Sequence, residues 1–272
     1  MMLNSSPETM RIDGAKREIA LPLVQHILAQ PLTAESESLA HGRQDTTTSE
    51  ASLRPKAWLA WSSGKDSAWS LHVVRERREL NVVALLTTVN RTHARVAMHA
   101  VRESLLEMQA VAVGLPLRVV PIPFPCPNQQ YEQAMSVAMR RAQSEGVTHI
   151  IFGDLFLDDV RRYREENLAK CGVTGVFPLW HIPTRQLAEE MIAGGLRSYI
   201  TCVDPRKLDK SFAGREWNSA LLAELPSSVD PCGENGEFHT FAWAGPMFSA
   251  PIVVRPGEIV ERDGFVFADL LG

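Results

Sequence analysis

The sequence has no Cys-x-x-Cys pair, no His-x-x-x-His, no long apolar run and no basic block, and each absence closes a class of function. Its four cysteines, Cys126, Cys171, Cys202 and Cys232, are widely scattered. They build neither a zinc knuckle nor a disulfide framework, so the expected setting is a reducing cytoplasm. His93 and His99 do not share a helical face at ligand spacing, so no structural zinc site is expected. Without a membrane-length apolar run, no membrane partner is expected. The first residues lack the basic-then-apolar order of a signal peptide, and Glu8 and Asp13 argue against a transit peptide. Formal net charge is −4, with no basic cluster interleaved with aromatics, so nucleic acid is not an expected partner.

What is present is a chain of 272 residues, 45% hydrophobic and 22% charged, able to bury a substantial core. Residues 1–54 read as a poorly ordered extension: a short helix over 15–29 weakened by Pro22, then a Ser/Thr/Glu/Ala-rich stretch without periodicity. From Lys56 the pattern becomes regular. Strands are predicted over Lys56–Trp61, Asn81–Val89, Leu117–Pro121 and Thr148–Phe152. Helices are predicted over Asp66–Arg78, over Val96–Val113 with Gly114 as C-cap, and over Asn128–Glu145 with Asn128 as N-cap. That alternation means βαβ units: an α/β, Rossmann-like parallel sheet with helices on both faces, over residues 55–172. In residues 173–272 the rhythm changes to a smaller α+β unit. It holds a helix over Thr184–Ala193, a strand over Arg197–Val203, a helix around Gly214–Leu225, further strands, and a hairpin turning at Asp263-Gly264.

The most informative stretch is Ser62-Ser63-Gly64-Lys65-Asp66-Ser67, where the first strand gives way to a helix N-terminus. Free backbone N–H groups and the positive end of a helix dipole make an anion site. Gly64 allows close approach, the hydroxyls add donors and Lys65 adds a charge, so a polyphosphate is the natural guest. Strand–Gly–helix turns also occur in α/β proteins that bind nothing there. A Walker A loop is disfavoured, since its first glycine is missing and Asp66 replaces the Ser/Thr after lysine. If position 63 requires a positive φ, serine is strained there. Other strand ends offer Thr87, Thr88 and Asn90 as an adenosine lining, or as mere strand terminators, and Gly153-Asp154 as nucleotide contacts, or as a plain turn. Arg161, Arg162 and Arg164 with Glu165 and Glu166 read as a solvated, salt-bridged helix face.

A second distinctive stretch is Cys232-Gly233-Glu234-Asn235-Gly236-Glu237-Phe238-His239-Thr240. Two glycines make a tight loop, and the following strand sends Glu237 and His239 to one face and Phe238 and Thr240 to the other. A Glu and a His on one face can move a proton near neutral pH, although a surface pair beside a turn is the plainer reading.

Ser62 to Ser67 resembles the pyrophosphate-binding loop of the N-type ATP pyrophosphatases, usually Ser-Gly-Gly-x-Asp-Ser, with Ser63 in place of the first glycine. Gly-Glu-Asn-Gly-Glu-Phe-His-Thr resembles the second signature of the diphthine–ammonia ligase-like (adenine nucleotide alpha hydrolase-like) branch. Gly153-Asp154 and Pro178-Leu179-Trp180 fit the same pattern, and the likeness spans Lys56 to Phe248 in a form similar to bacterial members. The resemblance implies cleavage of ATP to AMP and pyrophosphate through an acyl-adenylate, with amide formation from ammonia or an amine. It implies that Ser62, Ser63, Gly64 and Ser67 hold pyrophosphate, that Lys65 and Mg²⁺ offset charge, and that Asp66 is the metal ligand. Glu234, Asn235, Gly236, Glu237, His239 and Thr240 would handle the acceptor, with Glu237 and His239 joining Lys65 and Asp66 in the chemistry. The expected acceptor is a small-molecule carboxylate. A PP-loop tRNA-modifying enzyme and a non-catalytic ATP/AMP sensor are the alternatives.

Overall fold

The structure, a computed structural model, describes residues 53–90, 95–96, 101–123 and 126–272. The predicted helix over 15–29, His93 and His99 lie outside the described residues.

β1 (Lys56–Ala60) lies at the middle of a parallel sheet. It pairs with β2 (Asn81–Asn90) on one side and β5 (Val147–Ile151) on the other. β4 (Leu117–Ile122) extends the sheet beyond β2, and β6 (Thr174–Val176) extends it beyond β5. The connecting helices are α1 (Lys65–Arg77), α2 (Glu103–Val113), α3 (Asn128–Ser144) and α4 (Asp158–Ala169). Ala57, Trp58 and Leu59 are all fully buried, which is why β1 reads as a continuous apolar run. Trp58 packs on the α3–α4 face with Ala142, Ile150 and Leu168, while Ala57 and Leu59 join the larger core on the opposite face.

The chain builds β1, β2 and β4 outward in one direction, then returns to place β5 against β1. The topological switch therefore falls between β1 and β5, the place where ligands enter open α/β sheets. It brings Ser62–Ser67 and Gly153-Asp154 side by side.

Two predicted starts are corrected. The helix expected from Val96 begins at Glu103; Val96 instead pairs antiparallel with Val89 in the short β3 (Arg95–Val96). Asn128 is the first helical residue of α3 and does not cap it, because the N-cap is Pro127. Gly114 ends α2 with φ 69°, as its position predicts.

The second sheet is antiparallel. β7 (Arg197–Val203) is its centre, paired with β9 (Phe238–Ala244) on one side and with β8 (Glu216–Trp217) and β11 (Phe265–Leu271) on the other. β10 (Arg255–Arg262) closes a hairpin with β11 around Asp263-Gly264. α5 (Thr184–Ala193) falls where the periodicity places it. The helix expected over 214–225 is divided into β8 and α6 (Ser219–Glu224). One hydrophobic cluster runs through both sheets, taking in Trp61, Trp69, Phe238, Phe241 and Trp217. The edge of β9 thus meets the bend after β1.

Candidate functional site

The bend begins where Trp61, buried, donates from Nε1 to Gln109 Oε1 at 2.8 Å. Ser63 has φ 71°, the left-handed region where a Cβ is crowded, at a cost of about 1–2 kcal/mol for a non-glycine residue. Its carbonyl accepts from Gln109 Nε2 and from the Ala242 N–H of β9, both at 2.9 Å. The Ser63 hydroxyl is buried and has no partner. Gly64, by contrast, is extended (φ −83°) and serves as N-cap of α1. The backbone demand for glycine therefore falls one residue earlier than the glycine itself. Ser62 Oγ lies 3.3 Å from the Gly64 nitrogen and 3.2 Å from Ser67 Oγ, so two hydroxyls and one N–H converge at the helix start.

Lys65 turns away from that cluster. Its side chain is 2% exposed, and its ammonium donates to both Asp66 oxygens (3.0 and 2.9 Å) and to the Cys232 carbonyl. It lies over the rings of Trp217 (5.4 Å) and Phe238 (5.6 Å). Burial works against its charge, but the Asp66 carboxylate beside it, with Cys232 and Asp230 adding to the effect, holds its pKa above the usual lysine value. The Lys65 N–H donates to Thr240 Oγ1 at 3.1 Å. The lysine is thus plugged into the second sheet.

At the end of β5, a methyl group at Gly153 would lie 2.9 Å from the Asp66 carbonyl carbon and the Ser67 nitrogen. Only glycine lets this strand end approach the first turn of α1. Asp154 is gripped by Arg164, Nε to Oδ2 at 2.7 Å, with the guanidinium 4.4 Å over Phe152. That corrects the solvated, salt-bridged reading of α4 at Arg164 alone, which turns inward; Arg162, Glu165 and Glu166 are exposed, and Arg161 pairs with Glu165 at 2.8 Å while lying over Phe177 and Trp180. Thr87 is buried and spends its hydroxyl on the Trp61 carbonyl, so it pins the β1–β2 strand ends; Thr88 is half-buried. Asn90 closes β2.

The second signature reaches the same place from the other sheet. Gly233 and Gly236 have φ 69° and 74°, and between them Glu234 extends its carboxylate to the Leu155 N–H at 2.9 Å. Burial pushes the Glu234 carboxyl up to about 8, with Asp66 and Asp154 nearby adding to the effect. Asp230 accepts from the Glu234 N–H at 2.8 Å and donates its own N–H to Glu237 Oε1 at 3.2 Å. The other Glu237 oxygen is buried without a partner. Asn235 gives its carbonyl to Lys207 at 2.9 Å. Alternation along β9 holds, and the face carrying Phe238 and Thr240 is the one that meets the bend; His239 lies on the other.

The Diphthamide synthase N-terminal domain matches residues 55–174, and the Diphthamide synthase C-terminal domain matches residues 183–267. The chain belongs to the diphthamide synthase family. Its relatives include the diphthine–ammonia ligase of Bos taurus, 28% identical over 60% of this chain and 67% of that protein. The diphthine–ammonia ligase of Homo sapiens is 30% identical over 53% of this chain, and that of Danio rerio 32% identical over 41%. The chain spans just over half of the human relative's length (55%) and 46% of the zebrafish one. The family is one of PP-loop, ATP-binding ligases.

Several residues that build this diphthamide synthase family site carried no sequence signal of their own. Gln109, Trp217 and the Leu155 amide act through partners remote in the chain, and no local spacing marks them; Asp230 acts on the neighbouring Glu234 and Glu237. Among the described residues no group of three His, Cys, Asp or Glu can hold a metal ion. Asp66 is the one carboxylate within the bend, 25% exposed and charge-matched by Lys65. That donor set fits Mg²⁺ carried in with nucleotide phosphates, which needs one carboxylate and keeps its waters. No helix among the described residues is long and apolar enough to cross a membrane.

Proposed function

We propose that this protein is an ATP-dependent amide-forming ligase that splits ATP into AMP and pyrophosphate through an acyl-adenylate. The observation that carries this reading is the Glu234–Leu155 hydrogen bond, which sets the acceptor-handling loop directly against the β1–β5 switch point. A protein that only bound nucleotide would have no use for a buried carboxyl at that spot. Ser62, Gly64, Ser67 and the N-terminus of α1 hold the departing pyrophosphate, where backbone N–H groups stabilise developing negative charge. Asp66 would hold Mg²⁺, which would supply further charge neutralisation for the phosphates.

Lys65 takes a different part from the one its place in the motif suggests. Buried, its ammonium donates to both Asp66 oxygens and to the Cys232 carbonyl over the Trp217–Phe238 pair, so it fastens the bend to the second sheet. Glu234 is the proton carrier. Its carboxyl titrates near working pH and faces Asp66 and Asp154, so it accepts the proton released when ammonia or an amine attacks the activated carboxyl. Glu237, tied to the Asp230 N–H, shapes the loop that presents Glu234. The acceptor is a small-molecule carboxylate, and residues 55–172 and 173–272 divide nucleotide and acceptor handling between them.

Purified full-length protein incubated with ATP, Mg²⁺, ammonium and pooled cellular carboxylates should release AMP and pyrophosphate in equal amounts, dependent on the carboxylate. Release of ADP and orthophosphate instead would remove the ligase reading.

A further inference from the structure

The Ser63–Gly64 peptide is held firmly at its carbonyl and only by one long bond at its N–H, which donates to Ser62 Oγ at 3.3 Å within the bend. Its carbonyl oxygen accepts two hydrogen bonds, from Gln109 Nε2 and from the Ala242 N–H, each 2.9 Å long. In a trans peptide the following N–H points the opposite way. The Gly64 N–H is therefore aimed into the hollow where Ser62 Oγ and Ser67 Oγ meet. Gln109 itself is fully buried with both of its N–H donors and its carbonyl oxygen engaged: Nε2 also donates to the Ala242 carbonyl at 2.6 Å, and Oε1 accepts from Trp61. Indole nitrogen is a donor only, so the carboxamide cannot flip without losing the Trp61 bond and opposing its nitrogen to an N–H.

We propose that Gln109 is a positioning residue for nucleotide binding, locking the Ser63–Gly64 peptide so that the Gly64 N–H faces the pyrophosphate. The proposal rests on the reading of the Ser62–Ser67 bend as the pyrophosphate grip. Ser63 at φ 71° fits the same design, because a side chain in that region leaves the peptide few other orientations, whereas glycine would let it rotate. Two elements set the lock from outside the loop: α2 through Gln109 and β9 through Ala242. The anion-binding conformation is thus built by the packing around the bend as much as by the motif within it.

The test is calorimetric titration of pyrophosphate, and separately ATP, into the full chain and its variants. Gln109→Leu should raise the pyrophosphate Kd at least tenfold while the circular dichroism spectrum stays unchanged. Gln109→Glu keeps the acceptor for Trp61 and loses both donors. Its Kd relative to the unmodified protein should be raised at pH 8 and recover toward pH 5, where a protonated carboxyl regains one donor. Ser63→Gly combined with Gln109→Glu should weaken binding by more than the product of the two single effects. In the unmodified protein the Gly64 amide proton should shift downfield on addition of pyrophosphate while that of Ala242 stays in place, a reading that needs no variant to fold. Folded Gln109 variants that bind within twofold of the unmodified protein, or a Gly64 amide that does not move in a protein that binds pyrophosphate, would overturn the role of Gln109 alone. If the unmodified protein binds neither pyrophosphate nor ATP, the pyrophosphate-grip reading falls and takes this proposal with it.

Discussion

The Glu234 carboxylate accepts the Leu155 N–H at 2.9 Å, joining the tip of the second-sheet loop to the end of β5. A carboxyl held there is protonated far above the pH at which an exposed glutamate would lose its proton, since burial pushes it up to about 8. The raised value gives stability a definite pH dependence. Between the unfolded value, about 4.3, and the folded one, the native state binds the extra proton, so stability is full in acid and falls as pH rises toward 8. Glu234→Gln keeps an acceptor for Leu155 and removes the titration. Melting temperature should therefore decline between pH 5 and pH 8.5 more steeply in the unmodified protein than in the variant. Amide formation should rise with pH through about 8 in the unmodified protein and be lost in the variant, which should still bind ATP.

Ser63 is the clearest place to gain stability. It holds φ 71° with its hydroxyl buried and unpartnered, so both its backbone and its side chain are at a disadvantage. Ser63→Gly should stabilise the fold by about 1 kcal/mol, which for a chain of this size raises the melting temperature by about 2–4 °C. Scanning calorimetry reads this directly, and an unchanged or lower melting temperature would contradict the strain argument.

Gly153 tolerates nothing larger. Its Cα abuts the first turn of α1, and an added methyl group would sit 2.9 Å from backbone atoms of Asp66 and Ser67 that have nowhere to go. Gly153→Ala should cost about 1–3 kcal/mol, as overpacking in a rigid region does, and should weaken ATP binding because the strain falls on the bend itself. Paired denaturant unfolding and ATP titration check both parts. Binding lost with stability intact would assign Gly153 to ligand contact alone.

How much of this was legible in the sequence follows from which forces act locally. The β1–α1–β2 order, the Gly114 cap, α5 and the final hairpin all rest on periodicity and turn residues, and they fall where those signals place them. The apolar spacing of Leu105, Met108 and Ala112 extends by chance through Val101 to Val96, although α2 begins only at Glu103 and the strand at Val96 is fixed by pairing with Val89. Lys65 looked like a phosphate ligand from its neighbours in the motif. Its direction is set by Trp217 and Phe238, and nothing near residue 65 announces either. Arg164 looked solvated among other charges, and its partner Asp154 is brought under it by the turn after β5. Motif reading located the bend; the side-chain directions came from tertiary packing.

Lys65 provides the sharpest separation of roles. If its ammonium served only to meet phosphate, removing it would weaken nucleotide affinity and leave stability untouched. In the structure it is 2% exposed, ion-paired with Asp66 and bonded to the Cys232 carbonyl. Lys65→Met fills similar volume but leaves Asp66 without its counter-charge and the carbonyl without its donor. Breaking a buried pair in this way costs about 3 kcal/mol or more. The variant should therefore melt about 6 °C lower or more, on the scale that converts about 1 kcal/mol to about 2–4 °C for a chain of this size. It should also lose substrate-dependent pyrophosphate release, because the bend is no longer fastened to β9. Equal melting temperatures for Lys65→Met and the unmodified protein, alongside weakened ATP binding, would return this lysine to the phosphates.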